Sequence, residues 1–430
     1  MNIPSAHRRL TNGVTLVAVE RPGATALLSV DVRVGARYEA PTDAGLSHFL
    51  EHMIFQGCAG FPTPGAVNDA AERMGAALDA STSRDHTRFE HAVAADRLSD
   101  SVGLVAALLR APAFVDIEAE RSIILEEGLD EVDEAGRLVD PDTLTRAALW
   151  PDSPLGQSVI GDRARVEAFD VSDLRRHHAR HYVGPNLVVT AVGPAPPEAL
   201  LDLLAGPFGD HPGGPRVEPA PPGRMPGHPV VSVVPDGRSQ CECRFVFRTP
   251  GSSDPDAPAL QMLRLALDDG LASRMHRRLG AELGLAYEQW ASWERYADTG
   301  AFELAAVVSP AKAVTLADEA YRLVRGLVDD PPSGDELERL RFRARWSLQL
   351  MADSAEGLSL LYGSPHLYEQ APRSVAERWA LFDRVTPADL GRVADAIFVP
   401  EGHVACSVGP LSKTARRDFR ARAQRFGRAG

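Results

Sequence analysis

Residues 45–57 read Gly-Leu-Ser-His-Phe-Leu-Glu-His-Met-Ile-Phe-Gln-Gly. Two glycines bracket a run of good helix formers whose apolar residues recur at helical spacing, so we expect one helix here. His48 and His52 are four residues apart, which places both imidazoles on one side of that helix with Glu51 beside them. This geometry suits a zinc ion, because two neutral imidazoles can ligate the metal while a carboxylate that is not a ligand holds and deprotonates a water molecule.

The alternative is a helix that carries two histidines only for packing or surface reasons. Two imidazoles and a carboxylate placed beside Phe49 and Met53 would be costly to bury without a partner, and a metal ion removes that cost. The order His-x-x-Glu-His is also one of the more specific short metal motifs. We therefore favour a zinc site with Glu51 as the general base.

A catalytic zinc ion usually takes three protein ligands and leaves the fourth position for water. An acidic segment from residue 116 to about 134 is predicted to be a second helix and offers several carboxylates. Glu120 and Glu127 are two helical turns apart and should face the same side, whereas Glu126 should be solvated. Because acidic helices are common, spacing alone leaves open whether Glu127 is the third ligand.

The composition is that of an ordinary globular protein, with 44% hydrophobic and 24% charged residues. At 430 residues the chain should form at least two domains. The net charge of −13 argues against a nucleic-acid partner, which would require a basic face. No apolar run is long enough to suggest a membrane span or, near the N-terminus, a secretion signal.

The cysteines are too few and too scattered to indicate a disulfide framework. They are Cys58, Cys241, Cys243 and Cys406. Cys58 follows the predicted metal helix and is expected to be a small buried residue rather than a ligand. We therefore expect a reducing, cytoplasmic location.

Several short segments have clear secondary-structure patterns. Residues 14–20 and 26–35 are β-branched and alternating, and are predicted to be paired strands. Residues 78–93 are predicted to form a strand, a turn and a strand, while helices are predicted near 65–75 and 98–109.

The chain also repeats itself at an offset of 216 residues, for example from Leu174 to Leu390. The recurring segments are Asp173-Leu174, Tyr182-Val183 and residues 188–194, which return as Asp389-Leu390, Phe398-Val399 and residues 404–410. We therefore expect an α+β protein of two homologous halves, each with helices packed on one face of a mostly antiparallel sheet.

The repeat and the composition together divide the chain into four parts. These are a metal-bearing domain (1–206), a linker rich in proline and glycine (207–228), a second copy (229–411) and a basic tail (412–430). The same offset carries His48 and His52 to Arg264 and Asp268, so the second copy should hold no metal. The tail, which includes Arg416 and Arg428, is expected to be frayed and solvated, with docking onto an acidic partner as the alternative.

Motifs along most of the chain support a family resemblance. They are Asn12-Gly13, Gly35-Ala-Arg-Tyr-Glu39, residues 48–57, Thr82-Ser-Arg-Asp-His-Thr87, the span from Glu120 to Glu127, Tyr182-Val-Gly-Pro-Asn186, Ser273-Arg274 and Gly284-Leu-Ala-Tyr287. The chain resembles the pitrilysin or insulinase family of inverted-motif zinc peptidases, especially its small two-domain members, which include the mitochondrial processing peptidase subunits. The resemblance implies His48, His52 and Glu127 as zinc ligands, Glu51 as the general base and Glu120 as a supporting acid.

The resemblance also implies how substrate would bind. In that family an extended peptide adds as a strand to a sheet edge beside the metal, and a clamshell of two halves favours short or unfolded peptides. The matching positions here are Leu78, Asp79, Ala80, Ser81 and Thr82, together with Tyr287. Main-chain hydrogen bonds would then provide affinity with little sequence preference.

Two departures from the family pattern bear on function. Asp79 stands where relatives usually have asparagine, which puts any amide contact from this position in doubt. Relatives also carry an arginine seven residues before the tyrosine that matches Tyr287, and here that position is Gly280. Arg277 or Arg278 could substitute after a shift in register, but we favour a real loss.

The loss at position 280 suggests a partner, because some small relatives pair a metal-bearing subunit with a metal-free one. We expect a zinc endopeptidase with one Zn²⁺ per chain, acting as the metal-bearing subunit of a heterodimer, with a homodimer as the second choice. Two alternatives remain. One is a maturation protease for a single small precursor, such as a cofactor-precursor peptide, and the other is a non-catalytic scaffold subunit of the same fold.

Overall fold

A computed structural model of the chain describes residues 3–427. Its strands are β1 (Ser5–Arg9), β2 (Thr15–Glu20), β3 (Thr25–Val32), β4 (Asp79–Thr82), β5 (Thr87–Ala94), β6 (Leu187–Gly193), β7 (Val230–Val234), β8 (Cys241–Thr249), β9 (Glu288–Arg295), β10 (Gly300–Val308) and β11 (His403–Val408). They form two sheets, one in each half of the sequence.

The helices follow in chain order. They are α1 (Leu46–Ile54), α2 (Pro64–Glu72), α3 (Leu98–Arg110), α4 (Ile117–Glu127), α5 (Pro141–Leu149), α6 (Arg163–Ala168), α7 (Val171–His181), α8 (Pro197–Gly209), α9 (Ala257–Leu267), α10 (Ala313–Asp329), α11 (Gly334–Asp353), α12 (Ala355–Tyr362), α13 (Ser364–Leu367), α14 (Val375–Arg384), α15 (Pro387–Ile397) and α16 (Lys413–Arg425). Within the described residues, none of these helices combines the length and hydropathy needed to cross a bilayer.

The first sheet has the strand order β1-β2-β6-β3-β5-β4. Strands β2 and β6 run parallel, and the other neighbours are antiparallel. The predicted direct pairing of residues 14–20 with 26–35 is wrong, because β6 lies between β2 and β3. Alternation along a strand shows which side chains share a face, but it does not show which strand lies alongside.

The second sheet has the order β7-β11-β8-β10-β9, the same as the first sheet without β1. Its strands β7 and β11 are again the parallel pair. The helices that precede β6 and β11 both begin with capping boxes, Asp170 with Asp173 and Thr386 with Asp389, at the same offset of 216 residues. The two homologous halves of an α+β protein are therefore confirmed.

The compact units of the structure do not coincide with the two halves of the sequence, because each unit includes one segment from the other half. One compact unit holds the described residues up to Gly128, Gln157–Ala220 and Leu348–Arg378. The second unit holds Leu129–Gly156, Pro221–Ser347 and the described residues from Trp379 onward. The compact units therefore differ from simple sequence halves, since α5 belongs to the second unit and α12 to the first.

The exchanged helices cover the second face of each sheet. In the first unit, α1, α3 and α8 contribute to one apolar core on β2, β3 and β6. Helix α12 contacts the opposite face of the same strands, where the Arg88 guanidinium donates to Asp31 at 2.8 Å and to Ser359 at 2.9 Å. In the second unit, Arg146 of α5 donates in the same way to Glu294 at 2.7 Å and to Glu303 at 3.0 Å.

The linker and the tail differ in detail from the predictions. Helix α8 continues through Pro207 to Gly209, and no helix or strand occurs from residue 210 to 229 of the described chain. The tail is not frayed, because α16 buries Phe419 and Ala423, four residues apart on one helical face. Arg428, which we assigned to the tail, lies outside the described residues.

The cysteines all occupy buried positions and none forms a disulfide in the described chain. Cys58 is 3% exposed, and Cys241 and Cys243 lie on one face of β8 in the second core. Burial raises the pKa of the Cys243 thiol to about 12. These positions agree with the prediction that Cys58 is a small buried residue rather than a ligand.

Candidate metal centre

The start of α1 is held by a buried carboxylate. Glu39 accepts hydrogen bonds from the backbone N–H of Gly45 at 2.9 Å and of Ser47 at 2.6 Å, so it satisfies donors that no helical carbonyl can reach. Burial raises the pKa of Glu39 to about 7. Gly45 has a φ of 95°, and a Cβ there would lie 2.4 Å from the Ile160 carbonyl oxygen, so only glycine fits.

Three side chains from two helices converge beside α1. The Nε2 atoms of His48 and His52 are 3.3 Å apart, and one oxygen of Glu127 lies 3.6 Å from the first and 3.7 Å from the second. Glu127 is the last residue of α4, one residue after the exposed Glu126. Within the described residues, this is the one group of three or more histidine, cysteine or acidic side chains placed to share a metal ion.

The three donor atoms fit a tetrahedral zinc ion. Two ligand atoms that each lie about 2.0–2.1 Å from such an ion are roughly 3.3–3.4 Å from each other, close to the spacing of the triad. Burial is the main cause, and the charge of His52 the second, that lowers the pKa of His48 to about 4, which keeps that imidazole neutral and able to ligate. The donor set of two imidazoles and one carboxylate is typical of catalytic zinc, and it leaves a fourth position open.

Glu120 contacts the far side of the His52 ring and does not face the position that a metal ion would occupy between the three donor atoms. Its Oε2 is 3.0 Å from His52 Nδ1, and its other oxygen accepts from the Gln56 amide. A carboxylate on Nδ1 holds the proton there and leaves Nε2 free for a metal. The sequence interpretation missed Gln56, although it continues the four-residue spacing of the two histidines.

Glu51 is held by the strand that runs beside it. The Thr82 hydroxyl donates to Glu51 Oε2 at 2.7 Å, and Glu51 is 9% exposed. Burial raises the pKa of Glu51, and the hydrogen bond from Thr82 opposes that effect. Thr82 was predicted to contact substrate, and the structure places its side chain on the predicted base.

Strand β4 carries four of the predicted peptide-binding residues, Asp79 to Thr82, and Leu78 directly precedes it; β4 is an edge strand that pairs with β5 only. Ser83 N–H donates to His86 O at 2.8 Å, so these two residues form a hydrogen-bonded pair. Because such pairs alternate along an antiparallel ladder, Ser81 also bonds toward β5, while the backbone groups of Ala80 and Thr82 face the open edge. An extended chain could therefore pair with Ala80 and Thr82.

The second unit contains the remaining predicted residues. Tyr287 is fully exposed, and Gly280 lies in a short π-helical segment, His276–Glu282. Arg278 donates to Glu319 at 2.7 Å and to Glu282 at 2.9 Å, whereas Arg277 is exposed. Arg278 is therefore already held by two carboxylates of its own unit, while Arg277 stays open as a substitute and the loss at position 280 stays a prediction.

Two family models match consecutive parts of the chain. Residues 15–163 match the insulinase domain of peptidase family M16, and residues 168–343 match the M16 inactive domain. An uncharacterized zinc protease of Mycobacterium bovis is 31% identical over 401 residues, which is 90% of each chain. The chain belongs to the insulinase family, M16. A second relative, the mitochondrial-processing peptidase subunit beta of Dictyostelium discoideum, is 25% identical over 95% of this chain and 90% of its own.

Solved protease and peptidase structures share the fold. A protease from Helicobacter pylori superposes with a TM-score of 0.87 at 21% identity, over 95% of this chain and all of that chain. An M16-like peptidase from Alicyclobacillus acidocaldarius gives 0.80 at 17% identity, over 95% of this chain and 98% of its own. The match of the second half to an inactive domain agrees with Arg264 and Asp268 at the positions equivalent to the two histidines.

Proposed function

We propose that this chain is a zinc-dependent endopeptidase that binds one Zn²⁺ through His48, His52 and Glu127. The observation that carries the proposal is the convergence of three donor atoms at zinc-like spacing, with Glu51 next to them. The names of the relatives support it, since several are called zinc proteases. An intact donor set with a supporting carboxylate on His52 favours an enzyme over a scaffold.

The residues around the triad determine how hydrolysis would proceed. Zinc bound there would act as a Lewis acid on the scissile carbonyl and would acidify water. Glu51 uses one oxygen to accept from Thr82, and its other oxygen is then available to take a proton from water and to pass it to the leaving amine. Burial of Glu51 favours this exchange, because it raises the pKa of the carboxyl toward the pH at which the enzyme works.

Substrate would bind along the open edge of β4. Residues 78–82 would take an extended peptide as an added strand, with the backbone of Ala80 and Thr82 as donors and acceptors. Tyr287, which is fully exposed, would provide a side-chain contact to the peptide. This mode selects extended peptides, since a folded protein does not present a free strand.

We also propose that the active form is a heterodimer with a metal-free homologue, and a homodimer is the second choice. A relative named as a beta subunit supports assembly from several subunits. The glycine at position 280 supports it as well, because a partner could supply the missing cation. A dedicated maturation protease and a cytoplasmic location both stay predictions.

The experiment compares wild type with Glu51→Gln and with a matched control, Glu126→Gln. Zinc is measured by elemental analysis, and hydrolysis is measured with a quenched peptide mixture, for each chain alone and after addition of a co-encoded metal-free homologue. We expect one zinc per chain in all three proteins and loss of hydrolysis only in Glu51→Gln. Hydrolysis that appears only on addition of the homologue would support the heterodimer, and full activity of the chain alone would refute it. Absence of both zinc and activity would refute the enzyme and leave the scaffold.

A further inference from the structure

A cavity in the first unit, separate from the metal centre, has no role in the proposed hydrolysis. It has a volume of about 370 Å³, and its lining includes Arg9, Arg33, Arg216, His7 and His366 together with one carboxylate, that of Glu369. All of these residues belong to the first compact unit. Three guanidinium groups around one cavity are unusual in a chain whose net charge is −13.

The cavity lies on the sheet face opposite α1. Arg9 on β1 is opposite Thr15 on β2, and Thr15 is opposite Val188 on β6. On β3, Val188 is opposite Asp31, which pairs with Arg88. Arg33 is two residues further along the chain, directly after β3, and so on the same face, where its N–H donates to the Asn186 carbonyl at 2.9 Å. The residues next to this row, such as Leu16 and Val189, belong to the core that contains α1, so side chains of the row face the other side.

Arg33 is the central group of this cavity. It is 4% exposed, and its Nε is buried without a hydrogen-bond partner. Within the described residues, no carboxylate lies within ion-pair distance of its guanidinium, and the neutral Tyr38 hydroxyl is its side-chain neighbour. A buried guanidinium without a counter-ion is costly, so an anion in the cavity would remove a real penalty.

The neighbours of Arg33 add to this charge. Arg216 contacts Glu369 and Glu218. Burial, and as the second cause the charge of Arg33, lowers the pKa of Arg216. Arg9 lacks a carboxylate partner in the described part of the chain. The His366 Nε2 is also buried without a partner. Two guanidinium charges, those of Arg9 and Arg33, are therefore left without a counter-ion.

We propose that this cavity, termed the Arg33 pocket, binds a phosphate group carried by a small molecule. A phosphate has two charges and several oxygens, and so matches two unpaired guanidiniums with a histidine nitrogen nearby. A carboxylate has one charge and one bidentate edge, which would leave one arginine unneutralised. The volume accommodates a phosphorylated small molecule of modest size and not a polymer.

The test is a calorimetric titration of the full-length zinc-loaded protein with inorganic phosphate, with chloride added to hold ionic strength constant. We expect saturable binding to wild type that is roughly ten- to hundredfold weaker in Arg33→Gln, because one charged donor group is removed. Arg9→Gln should weaken binding as well. Because Arg9 is exposed at the rim of the pocket, this variant tests the proposal even if the buried substitution at Arg33 disturbs folding. The matched control is Arg175→Gln, an exposed residue of α7 away from the lining.

Each outcome supports the proposal or overturns it. Equal phosphate binding by wild type, Arg33→Gln and Arg9→Gln would overturn it, and so would equal weakening in Arg175→Gln. Phosphate held by the zinc ion would give the first of these results, because the pocket lies on the other face of the sheet. Absence of saturable binding to wild type, or tighter binding of acetate than of phosphate, would also overturn it. Since binding is read without hydrolysis, the result is independent of peptidase activity.

Discussion

Replacement of Glu120 by glutamine should weaken zinc binding without removing a ligand. The carboxylate accepts from two donors, His52 Nδ1 at 3.0 Å and the Gln56 amide. A glutamine has one acceptor oxygen and one NH₂ group, so it can satisfy only one of these donors and must face the other with a second donor. It also removes the negative charge that stabilises the ligating form of His52.

The size of the effect follows from this one contact. The Glu120 side chain is only 12% exposed, so water replaces the lost acceptor poorly. Loss of a carboxylate behind a metal-ligating histidine typically costs about ten- to hundredfold in metal affinity. This corresponds to roughly 1.4–2.7 kcal/mol, which agrees with a charge-assisted hydrogen bond of about 1.5–3 kcal/mol.

The assay is competition between the protein and a chromophoric zinc chelator at one fixed pH, which reports metal affinity and not activity. Glu126→Gln is the matched control, since that residue is adjacent to Glu127 in sequence and exposed like it, but lies outside the triad. Circular dichroism confirms that each variant is folded. Zinc affinity of Glu120→Gln equal to that of wild type would refute the assignment of Glu120 as the residue that positions His52.

Three further predictions follow from individual contacts. Ala80→Pro removes a backbone donor at the open edge of β4 and should lower kcat/KM by about two- to tenfold, because one lost hydrogen bond costs ~0.5–1.5 kcal/mol. Ser81→Pro instead removes a donor that bonds to β5 and should disrupt the pairing of β4 with β5. Equal thermal stability of the two variants would contradict the assigned register. Because burial raises the pKa of Glu39 from 4.5 to about 7, the native state holds this proton more tightly than the unfolded state, so its contribution to stability falls as pH rises between these values. Denaturant unfolding should therefore show that wild type loses stability relative to Glu39→Gln across that window, and a constant difference would show that Glu39 does not titrate there. Arg146→Gln removes the buried guanidinium that contacts Glu294 at 2.7 Å and Glu303 at 3.0 Å, while Arg244 still contacts Glu303 at 3.4 Å, and it should cost about 3 kcal/mol in unfolding free energy. The exposed Arg137→Gln should cost little, and similar losses in the two variants would argue against the buried network.

Much of the metal centre could be predicted from the sequence, because helical periodicity determines which side chains share a face. The helix expected within residues 45–57 is α1, Leu46–Ile54, and its two histidines meet as the four-residue spacing requires. The two-turn spacing of Glu120 and Glu127 likewise brings both carboxylates to the histidines. The histidine pair needed only the geometry of one helix, whereas spacing alone left Glu127 open and the family resemblance implied it as the third ligand.

Other features depend on contacts between residues far apart in sequence, and no local pattern reports them. The insertion of β6 between β2 and β3, and the transfer of α5 and α12 between units, are properties of the assembled sheets. The Arg33 pocket is similar, since Arg33 and Arg216 are separated by most of the first half of the chain. The sequence also did not indicate that the Glu39 carboxylate is buried at the start of α1, although Glu39 belongs to one of the motifs that carry the family resemblance.

Thr82 joins the two parts of the proposed mechanism in one residue. Its backbone lies at the open edge of β4, where a peptide strand would pair, and its hydroxyl donates to Glu51. The Thr82 hydroxyl oxygen is two bonds from its own Cα, and an added strand would lie about 4.7–4.9 Å from β4, so a paired peptide would run close to the base. An edge strand and a metal helix that were independent could drift relative to each other. Because Thr82 is part of β4 and its hydroxyl is bonded to Glu51 of α1, a peptide that pairs with β4 would be held in register with Glu51. The spacing between the bound main chain and the base would then not depend on the peptide's side chains.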